Sequence, residues 1–95
     1  MYRILDGRGT GKTSRLFLLA KEQNAWIVCF NPSIAESQAH AYGLDGINFI
    51  SYRDFYNKRY PAGTKFLIDE LEEYISLMSE RNLIGYTLST NDIIK

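Results

Sequence analysis

Trp26, Ile27, Val28, Cys29 and Phe30 follow one another without a polar side chain, between Asn24 on one side and Asn31-Pro32 on the other. A run this short and this apolar reads as a strand buried on both faces, the kind found in parallel sheets whose two sides are covered by helices. That one feature asks the rest of the chain for helices and for further strands. A length of 95 residues allows one small domain, residues 1–95, with a modest core.

The flanking segments answer in that order. Residues 2–5 form a short β-prone run that stops at a glycine-rich loop, and residues 13–22 have helix-favouring composition. Leu16, Phe17, Leu18, Leu19 and Ala20 stand in one block, wider than a single apolar stripe, which predicts a central helix packed against both the sheet and a neighbouring helix. Ser33 with Glu36 makes a capping box and Gly43 a stop, so a helix is expected over residues 34–42. Residues 47–51 read as a third strand. Ser51 and Asp54 bracket a short helix carrying Phe55 and Tyr56, closed before the Pro61-Ala62-Gly63 turn. Residues 65–69 read as a fourth strand. Leu71, Tyr74, Ile75 and Met78 fall at i, i+3, i+4 and i+7, the core face of a further helix, and residues 84–88 read as a fifth strand. Strands alternating with helices predict an α/β fold with right-handed crossovers and a mostly parallel sheet of about five strands, helices on both faces. Ligands of such sheets bind beyond the carboxyl ends of the strands.

Composition narrows the setting more than the partner. Eleven basic residues balance eleven acidic ones, so no overall field draws the chain to nucleic acid or to an anionic membrane. The longest apolar run falls far short of the roughly 18 residues that suggest a membrane span, and no signal-peptide pattern opens the chain. Cys29 has no second cysteine to bridge with and sits in a core strand, which suits a reducing compartment. The expected location is cytoplasmic, with no membrane partner.

The loop after the first strand reads Asp6-Gly7-Arg8-Gly9-Thr10-Gly11-Lys12-Thr13. Its glycines let the backbone curl so that successive N–H groups face phosphate oxygens, and the helix that follows adds its positive end. The run resembles the Walker A pattern G-x-x-x-x-G-K-[ST], with Gly11, Lys12 and Thr13 in register and Asp6 in place of the first glycine. The resemblance implies a nucleotide-binding set of Gly7, Arg8, Gly9, Thr10, Gly11, Lys12, Thr13 and Ser14. Lys12 would neutralise the outer phosphates of ATP, and the Thr13 hydroxyl would meet Mg²⁺.

Phe66-Leu67-Ile68-Asp69-Glu70 resembles a Walker B segment, an apolar strand that delivers a carboxylate to its carboxyl end. Asp69 would then hold Mg²⁺ through water, and Glu70 would polarise the attacking water as in ATPases with an additional catalytic glutamate. The alternative is structural: Asp69 capping the following helix, with Glu70 in its first turn. Beyond residues 84–88, Thr90 and Asn91 stand where such ATPases often place a polar sensor, and both are candidate catalytic residues beside Lys12 and Glu70.

With both motifs in place the chain resembles a P-loop NTPase of the RecA-like division over nearly its whole length, which implies a three-layer P-loop NTPase core. Cys29-Phe30-Asn31-Pro32-Ser33 and Ile50-Ser51-Tyr52-Arg53-Asp54-Phe55 look like segments of the first motor domain of superfamily 1 helicases. The acidic motif nevertheless reads Asp-Glu-Leu-Glu rather than Asp-Glu-Ala-Gln, no glutamine marks the third helicase motif after Leu88, and a second motor domain is missing. Helicase action by this chain alone is not expected. Small phage-encoded ATPases are similar in size and layout, and the Gly-Arg-Gly-Thr-Gly-Lys-Thr loop is similar to that of phage DNA-packaging motors, which suggests a phage origin.

The leading expectation is therefore Mg²⁺-dependent ATP binding and hydrolysis, acting with a partner chain, a second copy or nucleic acid. A nucleotide-responsive module without significant turnover is the alternative, and a small kinase ranks third because water suits Asp69-Glu70 better as acceptor. Arg53, Lys58 and Arg59 among Tyr52, Phe55, Tyr56 and Tyr60 mix charge with stackable rings as a DNA or RNA surface would, although such rings more often pack against a sheet. Arg53, Arg59 and Arg81 are candidates for an arginine finger. His40 is expected to serve the surface or the core.

Overall fold

In the computed structural model the chain is described at Tyr2, Ile4 and residues 11–88. The apolar run becomes β1 (Trp26–Cys29), the middle strand of a parallel sheet, flanked by β2 (Phe49–Ser51) and β3 (Phe66–Ile68) in the order β2-β1-β3. Ile27 stands opposite both Phe49 and Leu67, and Val28 opposite both Ile50 and Ile68. The ladder continues past the strand ends, where the Asp69 N–H donates to the Val28 carbonyl at 2.9 Å and the Trp26 N–H to the Lys65 carbonyl at 2.9 Å.

Four helices connect these strands: α1 (Lys12–Gln23), α2 (Pro32–Ala41), α3 (Tyr52–Tyr56) and α4 (Leu71–Met78). Because side chains alternate across a strand, Ile27 and Cys29 join Leu16, Phe17 and Ala20 of α1 and Ala35 and Ala39 of α2 on one face of the sheet. Val28 and Ile50 turn to the other face with Tyr52, where Phe55, Tyr60, Phe66, Tyr74, Leu77 and Met78 pack around them. The rings there meet edge to face, Phe55 with Phe66 at 4.9 Å and Tyr60 with Phe66 at 4.5 Å between centroids, geometries that favour aromatic pairs. Phe17 is the anchor of the first face, 1% exposed and edge-on to Phe49 at 5.4 Å. Truncating it removes a whole ring from a packed site, so Phe17→Ala is expected to lower unfolding free energy by about 3–5 kcal/mol in a urea titration.

The helix boundaries have local causes. α1 stops where Asn24 takes the left-handed conformation (φ 52°) and the Ala25 N–H returns to the Ala20 carbonyl at 2.9 Å, a conformation asparagine tolerates better than most residues. α2 ends in a Schellman arrangement. Gly43 (φ 74°) donates to the His40 carbonyl and Leu44 to the Ala39 carbonyl, so Gly43 is the stop that its residue type foretold. Its start differs from expectation. The cap is Asn31, whose side chain accepts from the Ile34 N–H at 3.2 Å, with Pro32 in the first turn. A proline there has no N–H to leave unsatisfied and a preset φ, so it opens the helix ahead of Ser33. Ser51 does cap α3, accepting from the Asp54 N–H at 3.1 Å.

The expectation of a three-layer P-loop NTPase core with about five strands is overturned: the sheet of the described residues has three strands, and a core of the larger kind exceeds a chain of this size. Of residues 2–5, Ile4 forms a single bridge and packs against the first face, while Arg3 and Leu5 lie outside the described residues. Residues 84–88 form no strand, and Ile84 is wholly exposed. Their alternating pattern is β-prone, but a strand needs a neighbour's backbone groups as well as a pattern. Two helix readings are also corrected. Leu18 is 53% exposed, so α1 buries one stripe rather than two faces, and Leu71 is 43% exposed, its place in the core taken by Leu77. Among the described residues no helix is long and apolar enough to cross a membrane.

Candidate functional site

α1 begins directly after Gly11, which adopts φ 80° and ψ 19°. A side chain here would be strained by the left-handed backbone, so glycine is the residue that turns the chain into the helix at low cost. Two bonds secure the turn: the Gly11 carbonyl accepts from the Arg15 N–H at 3.1 Å and from the Ser14 hydroxyl at 2.9 Å. Ser14, expected among the nucleotide-binding residues, therefore spends its hydroxyl on the first turn of α1. Lys12 and Thr13 follow, both half-buried, at the positive end of a helix of 12 residues.

The Lys12 ammonium does not point into solvent. Its Nζ lies 3.0 Å from Oε1 of Glu70, at the carboxyl side of β3. Two residues nominated by separate motifs thus meet. Glu70 occupies the position before α4 in a left-handed conformation (φ 58°, ψ 66°) and makes no capping bond with its side chain. Asp69 makes none either, so the structural alternative, a carboxylate capping α4, is not what the backbone records. A non-glycine residue in that conformation stores strain of about 1–3 kcal/mol, and the Glu70 carboxylate meets Lys12 of α1 and makes no capping bond to its own helix.

Asp69 sits between these groups and the sheet. Burial pushes its carboxyl above the ordinary value of 3.8, the neighbouring Glu70 charge pushes the same way, and Lys12 pulls it partly back. Half-buried carboxylates of this kind are relieved by a cation. Cys29, at the end of β1, is buried, and its thiol is pushed up to about 11 by burial first and by Asp69 second. It is a protonated, unreactive packing group.

Tyr52 is the residue that sequence reasoning missed. Read there as one ring of a surface patch, it is 6% exposed, and its hydroxyl donates to the carbonyl of Asp69 at 2.8 Å and more weakly to that of Glu70 at 3.4 Å. Tyr52 follows β2 while Asp69 follows β3, with β1 between them, so the ring reaches across the end of the central strand. No local pattern encodes such a contact.

Other nominated residues are distributed as follows. Gly7, Arg8, Gly9 and Thr10, with Asp6, and the sensor candidates Thr90 and Asn91 lie outside the described residues. Among the described residues no group of three or more His, Cys, Asp or Glu could hold a metal. Phe55 and Tyr60 are packed in the second face, leaving Tyr56 as the exposed ring beside Arg53 and Lys58. Arg59 lies 3.7 Å from Asp54, and Arg81 lies 3.5 Å from Glu73. His40 is on the surface, its Nδ1 2.7 Å from Oδ1 of Asp45, and that bond raises its pKa. Two grooves of about 380 and 290 Å³ lie along α2, the first lined by Ser33, Glu36, Ser37, His40 and Asp45 and the second by Glu36, Asp45 and Phe49 among others; neither is lined by Lys12 or Glu70.

The chain matches no family model, no curated protein and no solved structure.

Proposed function

We propose that this chain binds ATP with Mg²⁺ at the carboxyl ends of its strands and hydrolyses it. The observation that supports the reading is the 3.0 Å approach of Lys12 to Glu70 across the fold, because it brings a cation suited to phosphate and a carboxylate suited to act as a general base into direct contact. In this ion pair the two charges neutralise each other. A triphosphate carries more negative charge than one carboxylate, so it takes the Lys12 ammonium and leaves Glu70 free to accept a proton from water. Asp69 and the Thr13 hydroxyl are the groups that would hold Mg²⁺, one or two protein ligands being usual where phosphates and waters supply the rest. When bound, Mg²⁺ neutralises the phosphate oxygens and orients the terminal phosphoryl group. The loop amides from Gly7 to Gly11 would cradle the phosphates.

A partner chain, a second copy or nucleic acid would complete such a site, and Arg53, Tyr56 and Lys58 are exposed groups close in sequence to the Tyr52 contact. The free thiol of Cys29, kept protonated by burial, suits the reducing cytoplasm, where we place the activity.

Calorimetric titration of Mg·ATP into the parent and Lys12→Ala proteins, followed by phosphate release on the same samples, tests this directly. Binding in the parent and a loss of at least about 30-fold in affinity in Lys12→Ala are expected, the size of a lost charge-assisted contact. A folded parent that takes up no nucleotide would remove the proposal. Binding with release no faster than the uncatalysed background would leave a nucleotide-responsive module instead.

A further inference from the structure

Resting on that reading, we propose that Tyr52 is a positioning residue: its hydroxyl clamps the Asp69-Glu70 turn from across the sheet and so sets the distance between the two carboxylates and Lys12. The turn needs such a clamp. Glu70 holds φ 58° without a glycine's freedom and without a capping bond of its own, and a strained residue persists only where its surroundings hold it. The flanking amides are secured on either side, Asp69 to the Val28 carbonyl at 2.9 Å and Tyr74 to the Glu70 carbonyl at 3.1 Å. Between them, the Tyr52 hydroxyl takes the Asp69 carbonyl at 2.8 Å and lies 3.4 Å from that of Glu70.

The donor is itself immobilised. Its ring meets Tyr74 edge-on at 5.3 Å and Phe30 at 6.3 Å, and the residue is 6% exposed at the start of α3, which Ser51 caps. Burial, with the charges of Asp69, Glu73 and Glu70 and the Cys29 thiol, raises the phenol's pKa, so the hydroxyl stays a donor throughout the range in which the protein would work. The two carboxylates leave β3, yet the group that fixes their backbone belongs to the segment after β2. Anything that moves α3 therefore moves the carboxylates.

Tyr52→Phe keeps the ring and deletes the clamp. Amide exchange at Asp69 and Tyr74 should quicken by roughly three- to tenfold, as expected for one lost hydrogen bond, while amides in α1 and α2 keep the parent's rates. With Mg·ATP as substrate, kcat should fall about 10- to 100-fold, the scale of a small misplacement of a reacting group, with KM within about twofold of the parent. In a Glu70→Gln background the same substitution should reduce kcat by a smaller factor than in the parent, because one of the two carboxylates it positions is already gone. Parent-like exchange, parent-like kcat, or full additivity with Glu70→Gln would each overturn the assignment. An unfolded Tyr52→Phe protein would also overturn it, since the hydroxyl would then serve the fold as a whole. A parent that neither binds nor hydrolyses Mg·ATP removes the hydrolase reading instead; exchange then decides the clamp alone, faster at the turn to keep it and unchanged to discard it.

Discussion

Glu70→Gln is expected to lower the rate of phosphate release by about 100-fold or more while binding ATP up to about fivefold more tightly than the parent. The first effect is the loss of a general base, which contributes roughly 10²–10⁴ in rate. The second follows from the resting ion pair. Lys12 and Glu70 lie 3.0 Å apart with side chains 29% and 52% exposed, so solvent screens the pair to about 0.2–1 kcal/mol. That amount no longer has to be given up when phosphate takes the ammonium, and it converts to the stated gain in affinity. Phosphate release under saturating nucleotide and calorimetry with the uncharged variant separate the two numbers. A Glu70→Gln protein that hydrolysed ATP at the parent's rate would show that Glu70 only balances the charge of Lys12.

Asp69→Asn should act in opposite directions on function and stability. Affinity for Mg·ATP is expected to fall by about 10- to 100-fold, the scale of losing an outer-shell partner of a metal. The nucleotide-free protein should become more stable. The folded-state pKa of Asp69 lies above its ordinary 3.8, so the native chain holds this proton more tightly than the unfolded chain does. Raising the pH through the interval between the ordinary and the raised value therefore removes stability, and ionised Asp69 is a net burden at neutral pH. Asparagine cannot ionise. The variant's advantage in melting temperature should be absent below the ordinary value, open across that interval and stay constant above it. A variant less stable than the parent at neutral pH would assign Asp69 a structural role instead of a cation-holding one.

Much of the chain was legible from local chemistry because its strands and helices carry local signals. Of the run over residues 26–30, Ile27, Val28 and Cys29 are buried as its composition demanded while Phe30, past the end of the strand, is 62% exposed; Gly43 stopped α2, and Ser51 capped α3. The failures share a cause. Residues 84–88 alternate as a strand should but have no strand beside them, and Leu18 and Leu71 carry core-like side chains that face solvent. Apolar pattern states what a residue could bury and is silent on whether a surface arrives to bury it. The Asn31 cap was overlooked in favour of Ser33 because two capping residues stand close together, and Pro32 tips the choice by closing the first turn without an N–H.

The sequence by itself determined the identity of the candidate site residues: a lysine and threonine at the start of one helix, an aspartate and glutamate at the end of one apolar strand. Each nomination rested on residue type within a few positions, which is as far as backbone geometry and periodicity reach. Tertiary structure decided how they relate. The order β2-β1-β3 brings Lys12 to Glu70 and carries Tyr52 over the end of the central strand to the Asp69 carbonyl. Strand order is set by which faces can be buried together and by the handedness of the crossovers, sums over the whole chain that no single segment encodes.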